Sequence, residues 1–222
     1  MNKNFISVLI LVSVFNSTLV NAQNGSIEEL MPNGFELFEE YGGDFNEDGL
    51  EDCILIIKDT KQENIITNRF GKKVDRNRRG LIVLLNMGDE YELILKNLDC
   101  FSSENEDGGV YYPPELSIET KNRILKIHYA HGRYGYWEYI FRYDASDFNL
   151  IGYESSDNYG PIVNYKISIN FLSKKKQVLE NLNRNTLDEE ENFKETWENI
   201  EIEALIKLSK IQDFGELTMT SY

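Results

Sequence analysis

Histidine, cysteine, proline and tryptophan are all scarce in this 222-residue chain: two, two, four and two residues respectively. Two histidines, His128 and His131, cannot build a histidine-rich metal centre, and three positions apart on a strand they point to opposite faces. Glu138 lies near them in the sequence, but cysteine ligands at zinc spacing are missing as well. Basic residues are short too, 23 against 38 acidic, for a formal charge of −15. That balance disfavours nucleic acid and anionic membrane surfaces as partners. No Pro- or Ser-rich linker divides the chain, which argues for one domain with a sizeable core. No P-loop, dinucleotide fingerprint, Gly-x-Ser-x-Gly elbow or paired cysteine nucleophile and base occurs. Two-carboxylate hydrolases leave almost no linear signature, so that class stays open.

Long apolar runs are confined to the first 22 residues. Lys3 precedes the apolar stretch Phe5 to Val14, and Val20-Asn21-Ala22 supplies small residues at a cleavage position. The run is short for a membrane span, which needs about 20 residues. The pattern predicts a signal peptide over 1–22, cleavage after Ala22, and a single β-rich domain over 23–222. It places the protein outside the cytoplasm, periplasmic or extracellular, with no stable membrane insertion after cleavage. Removing Lys3 with the leader leaves 22 basic and 38 acidic residues, a formal charge of −16.

Both cysteines, Cys53 and Cys100, belong to the exported part. An oxidising compartment predicts a bridge between them, closing 100 − 53 = 47 positions and worth about 4 kcal/mol in the chain-entropy picture. The alternative is a pair of buried free thiols packed as small apolar groups.

What the chain has in quantity is short runs rich in Val, Ile, Tyr and Phe between polar turns. Cys53 to Lys58, Leu81 to Asn86 and Tyr91 to Lys96 read as strands, with Met87 to Glu90 a hairpin turn. Leu116 to Glu119 and Ile124 to Tyr129 form a second hairpin, and Tyr136 to Tyr143 with Phe148 to Tyr153 a third. Val163 to Phe171 alternates apolar and polar residues. Leu187 to Asn192 reads as a loop, while Trp197 to Lys210 suits either a helix or a strand followed by a helical turn. The prediction is an all-β, mainly antiparallel meander of hairpins, closing as a sandwich, barrel or partial propeller with few short helical turns.

The strongest local signal is Gly43 to Asp52, GDFNEDGLED. Asp44, Asn46, Asp48 and Asp52 stand at offsets 1, 3, 5 and 9, with Gly49 at offset 6 for the sharp turn. Leu50 at offset 7 offers its carbonyl, and this is the oxygen spacing of a calcium loop. Offset 12 is Leu55, inside an apolar run, so the loop leads into a strand rather than the helix of an EF-hand. The segment resembles the integrin-α-like FG-GAP or VCBS repeat, over Gly43 to Ile57. The resemblance implies calcium ligation by Asp44, Asn46, Asp48, Asp52 and the Leu50 carbonyl. Family members stack several repeats into a propeller, whereas this chain carries one copy. As a whole the chain is similar to small exported bacterial proteins of unknown function with a single such loop.

Three further features carry candidate chemistry. Tyr134, Tyr136, Trp137 and Tyr139, with Tyr129, concentrate aromatic rings around one hairpin and make a candidate binding surface for a protein or glycan. Lys72, Lys73, Arg76, Arg78 and Arg79 make a basic loop, expected to be solvated, the alternatives being docking of an acidic partner or bridges to the protein's own carboxylates. Glu104 to Gly109 is a weaker second ion candidate. The function these features favour is a calcium-stabilised, exported binding or structural protein. The alternatives are a glycan-active hydrolase using paired carboxylates and an inhibitor or adaptor of another exported protein.

Overall fold

Two antiparallel sheets share one apolar core. A computed structural model of the chain describes residues 23–106, 113–184, 190–219 and 222; the expected leader, 1–22, lies outside the described residues. The first part builds strands β1 (Gln23–Gly25), β2 (Phe35–Gly43), β3 (Asp52–Asp59), β6 (Arg79–Asn86) and β7 (Tyr91–Phe101). They form a five-stranded sheet in the order β1-β7-β6-β3-β2, while β4 (Ile65–Thr67) and β5 (Lys73–Asp75) make a separate two-stranded ribbon between β3 and β6. The second part is a seven-stranded meander: β8 (Glu115–Lys121), β9 (Ile124–Ala130), β10 (Gly135–Asp144), β11 (Asp147–Tyr159), β12 (Ile162–Asn170), β13 (Lys175–Asn181) and β14 (Phe193–Asn199). All pairings in both sheets are antiparallel. Of the three closures expected from the sequence, the sandwich-like one is observed.

The residue patterns explain which faces are covered. Strands β3 and β6 are apolar without alternation because both of their faces are buried. Ile54, Ile56, Leu81 and Val83 join the core shared with Leu125, Ile127, Phe141 and Ile167 of the larger sheet. On the reverse face Cys53, Leu55, Ile57, Ile82 and Leu84 pack under Leu30, with Ile27 and Met31 beside it. Leu30 ends the short helix α1 (Ile27–Leu30), which Ser26 and Glu29 start with a capping box. Strands β9 and β12 alternate instead, since the larger sheet turns one face to solvent.

The chain end is strand through Asn199 and then irregular, with one 3-10 turn at Leu208–Lys210. The helix alternative for Trp197 to Lys210 therefore does not form, because Trp197 pairs with Gln177 on β13. Ile200, Leu208, Ile211, Phe214 and Met219 pack into the shared core. Phe214 stacks on Phe101 at 5.1 Å, and Asp147 holds the turn by accepting from the Ser209 hydroxyl at 2.6 Å. The loop expected over Leu187 to Asn192 lies partly outside the described residues.

Candidate functional site

The acidic loop is the connection of the β2–β3 hairpin, whose last register pair is Gly43 with Asp52. Its backbone is folded by its own side chains. The Asp44 carboxylate accepts from the Asp48 amide at 3.1 Å and the Gly49 amide at 3.0 Å. Asn46 Oδ1 accepts from the Asp48 amide at 3.1 Å, and Asp48 Oδ1 from the Leu50 amide at 2.8 Å. Gly49 turns at φ +87°, a conformation that suits glycine. Asn46 Nδ2 also donates to Asp48 Oδ2 at 2.8 Å. These are Asx-type turns, and each carboxylate oxygen that accepts one amide retains a second lone pair.

Asp52 behaves differently from the other three. It is 1% exposed, and its two oxygens accept from the Phe45 amide at 2.7 Å and the Asn86 amide at 2.9 Å. Burial pushes its carboxyl above the ordinary value; the two amides pull it down, and the Asp48 and Asp44 charges push it up again. Asp52 thus clamps the loop to the end of β6, while Phe45, fully buried, pins it to the larger sheet edge-to-face on Phe148 at 5.4 Å. Among the described residues no three His, Cys, Asp or Glu side chains converge as a metal-holding group. The oxygens of Asp44, Asn46 and Asp48 lie together on one turn, with Leu50 half-exposed beside them. The donor set is hard oxygen throughout, which matches calcium chemistry.

The aromatic hairpin separates into three environments. Tyr139 is withdrawn into the core at 2% exposure, donating to the Phe214 carbonyl, so it does not belong to a surface. Trp137 lies over buried Tyr129 at 5.3 Å and 16°, with the edge of His131 at 6.3 Å. Tyr136 stacks instead on His128 at 5.3 Å, and His128 Nδ1 is 3.2 Å from Glu138, which also meets Lys126 at 3.2 Å. Beyond Trp137 a recess of about 320 Å³ is lined by the aromatic residues His131, Tyr134, Tyr136, Trp137, Tyr153 and Tyr165 together with Ser155, Ser156 and Asp157. Glu138 and Glu154 face each other across β10 and β11, but Glu138 is already engaged by His128 and Lys126.

Two expectations are corrected here. Cys53 and Cys100 are free thiols, not a bridge. Cys53 packs under the α1 layer and Cys100 in the shared core, so they occupy different apolar clusters. Burial pushes both thiols up, Cys53 to about 12. In the basic loop Lys72 and Lys73 are exposed as expected, but the arginines are not solvated. Arg78 pairs with Asp99 at 2.7 Å and Asp213 at 2.8 Å. Arg79, 5% exposed, donates to the Ser102 carbonyl and lies over the Phe38 ring at 5.1 Å. These arginines brace the β3–β6 end of the smaller sheet. Glu104 pairs with buried Lys58, and residues 107–109 of the second ion candidate lie outside the described residues.

Sequence reading missed Asn86, Ser155, Asp157 and Tyr165. Asp157 and Tyr165 stand opposite each other only through the β11–β12 register, a pairing no linear spacing announces. No protein-family model, curated protein or solved structure matches the chain. Fold and site together define an all-β, antiparallel protein of two main sheets with an acidic hairpin loop, and no helix of the described residues is long and apolar enough to cross a membrane.

Proposed function

We propose that this chain is an exported β-sandwich protein, stabilised by one calcium ion, that acts by binding rather than by catalysis. Its contact surface is the outer end of the aromatic hairpin, where Tyr134 and Trp137 border a solvent-facing recess. The observation that carries the reading is that recess: aromatic rings beside polar groups at the end of a rigid sheet are what small-ligand and partner sites are made of. A protein or a glycan suits it, and the acidic balance argues against nucleic acid.

Calcium has a separate support. Asp44, Asn46, Asp48 and the Leu50 carbonyl would hold the ion, and Asp52 would lend the spare lone pairs of its clamped carboxylate. A bound divalent cation offsets the mutual repulsion of Asp44, Asp48 and Asp52 and so orders the turn. Export rests on the leader pattern of residues 1–22. The test is a calorimetric titration of residues 23–222 with calcium chloride, paired with N-terminal sequencing of the secreted product. One ion per chain, lost in Asp48→Ala, and a first residue of Gln23 are expected. Absence of binding heat removes the calcium role, and a retained Met1 removes the export role.

A further inference from the structure

The recess beyond Trp137 combines one hard apolar wall with several polar groups. The wall is Trp137, held flat by Tyr129 behind it, so the ring is fixed before any ligand arrives. Preorganisation of this kind lowers the ordering cost of binding. Across the recess stands Tyr165, 37% exposed on β12 and opposite Asp157 in the register. Asp157 is oriented by Asn164 Nδ2, which donates to its Oδ2 at 2.8 Å. Among the described residues no hydrogen bond engages the Trp137 indole N–H or the Tyr165 hydroxyl, and both residues line the recess. Ser155 adds a hydroxyl on the floor, directly across from Trp137.

The ligand these groups fit needs a flat apolar face to lie on a ring and several hydroxyls around its edge. A pyranose has both: axial C–H groups on one face and equatorial hydroxyls that donate to a carboxylate and accept from an indole or phenol. The volume, about 320 Å³, stands at the small end of the roughly 300–1,000 Å³ range of ligand pockets. It therefore takes the terminal part of a chain rather than an extended stretch. Charge narrows the class further. Asp157 within the recess, on a protein of formal charge −15, repels uronic, sulfated or sialylated sugars.

We infer that the Trp137–Asp157–Tyr165 recess binds the end of a neutral glycan, the sugar face lying on Trp137 and its hydroxyls on Asp157, Ser155 and Tyr165. This rests on the proposal that the hairpin end is a contact surface, and it names the ligand class of that surface.

The chain has two tryptophans, and the other, Trp197, is an exposed residue on the edge strand β14. In Trp197→Phe, Trp137 is the sole tryptophan and its emission reports on the recess. The probes are neutral cello-, manno-, xylo- and chito-oligosaccharides, with oligogalacturonate and tetramethylammonium chloride as charged comparisons, each to about 10 mM. That ceiling exceeds the roughly millimolar Kd of a weak single-sugar site. A saturable change with at least one neutral sugar is expected, weakened about tenfold by Tyr165→Ala and by Asp157→Asn, as loss of about 1.4 kcal/mol would give. No response to any neutral sugar, or a response confined to oligogalacturonate or tetramethylammonium, overturns the inference. Acrylamide quenching of the same variant separates the two levels. An accessible Trp137 with no sugar response removes the glycan alone, whereas an inaccessible Trp137 removes the contact surface as well.

Discussion

Replacing Asp52 with alanine should destabilise the calcium-free chain far more than replacing any other acidic residue of the loop. Asp52 is the buried acceptor for the Phe45 and Asn86 amides, at 2.7 and 2.9 Å. Alanine leaves both amides without their acceptor, and each such loss costs about 1–3 kcal/mol. The expected total is about 4 kcal/mol, a large share of the roughly 5–15 kcal/mol by which domains are stable. With a urea m-value of about 2 kcal/mol per molar, the midpoint falls by roughly 2 M at unchanged m. Asp44→Ala, measured in the same chelating buffer, is the contrast. Its carboxylate braces only exposed turn amides, so it should cost about 1 kcal/mol or less. Equal midpoints for the two variants would refute the division of the loop into an exposed oxygen cluster and a buried clamp.

Three further outcomes follow from the same geometry. In chelator, burial raises the Asp52 carboxyl, so the folded chain binds its proton more tightly than the unfolded chain. Its contribution is then most favourable below its ordinary value of 3.8 and declines as pH rises from there through the raised folded value. The stability of the native chain minus that of Asp52→Asn should accordingly fall with pH in urea titrations; a rise reverses the assigned sign. Cys53 and Cys100 should react with a thiol reagent only after denaturation, and a reductant should leave the melting temperature unchanged, whereas a reductant-sensitive transition would reinstate a bridge. Phe148→Ala should cost about 3–5 kcal/mol through the cavity it leaves. It should also be non-additive with Phe45→Ala, since the rings touch; strict additivity in denaturation would contradict that contact.

Strand existence was legible wherever the apolar period was strong. Cys53 to Lys58, Leu81 to Asn86 and the three hairpins of the sequence reading all lie in observed strands. Strand β2 was not predicted, because FELFEEYGG mixes acidic and apolar residues on a sheet edge that stays largely wet. The cysteine pairing failed for a reason of parity and register. Period-two alternation puts Cys53 on the α1-covered face of β3, while the register irregularities of β7 leave Cys100 in the shared core. The arginines of the basic loop were misread because their acidic partners, Asp99, Glu104 and Asp213, come from segments distant in sequence. The loop Asp44 to Asp52 was legible since its geometry is local, whereas Asn86 enters it from another strand. The same limit hid Asp157 and Tyr165, which only the sheet brings opposite Trp137.

The calcium claim is tested most directly by thermal unfolding of residues 23–222 in calcium chloride and in chelator, with Asp48→Ala alongside. At a free ion concentration about a hundredfold above Kd, binding to the native state alone adds about 2.7 kcal/mol. For a chain of this length that corresponds to a rise of roughly 5–10 °C, present in the native sequence and absent in the variant. Superimposed transitions with and without calcium, or an Asp48→Ala variant that keeps the full increment, would contradict the account.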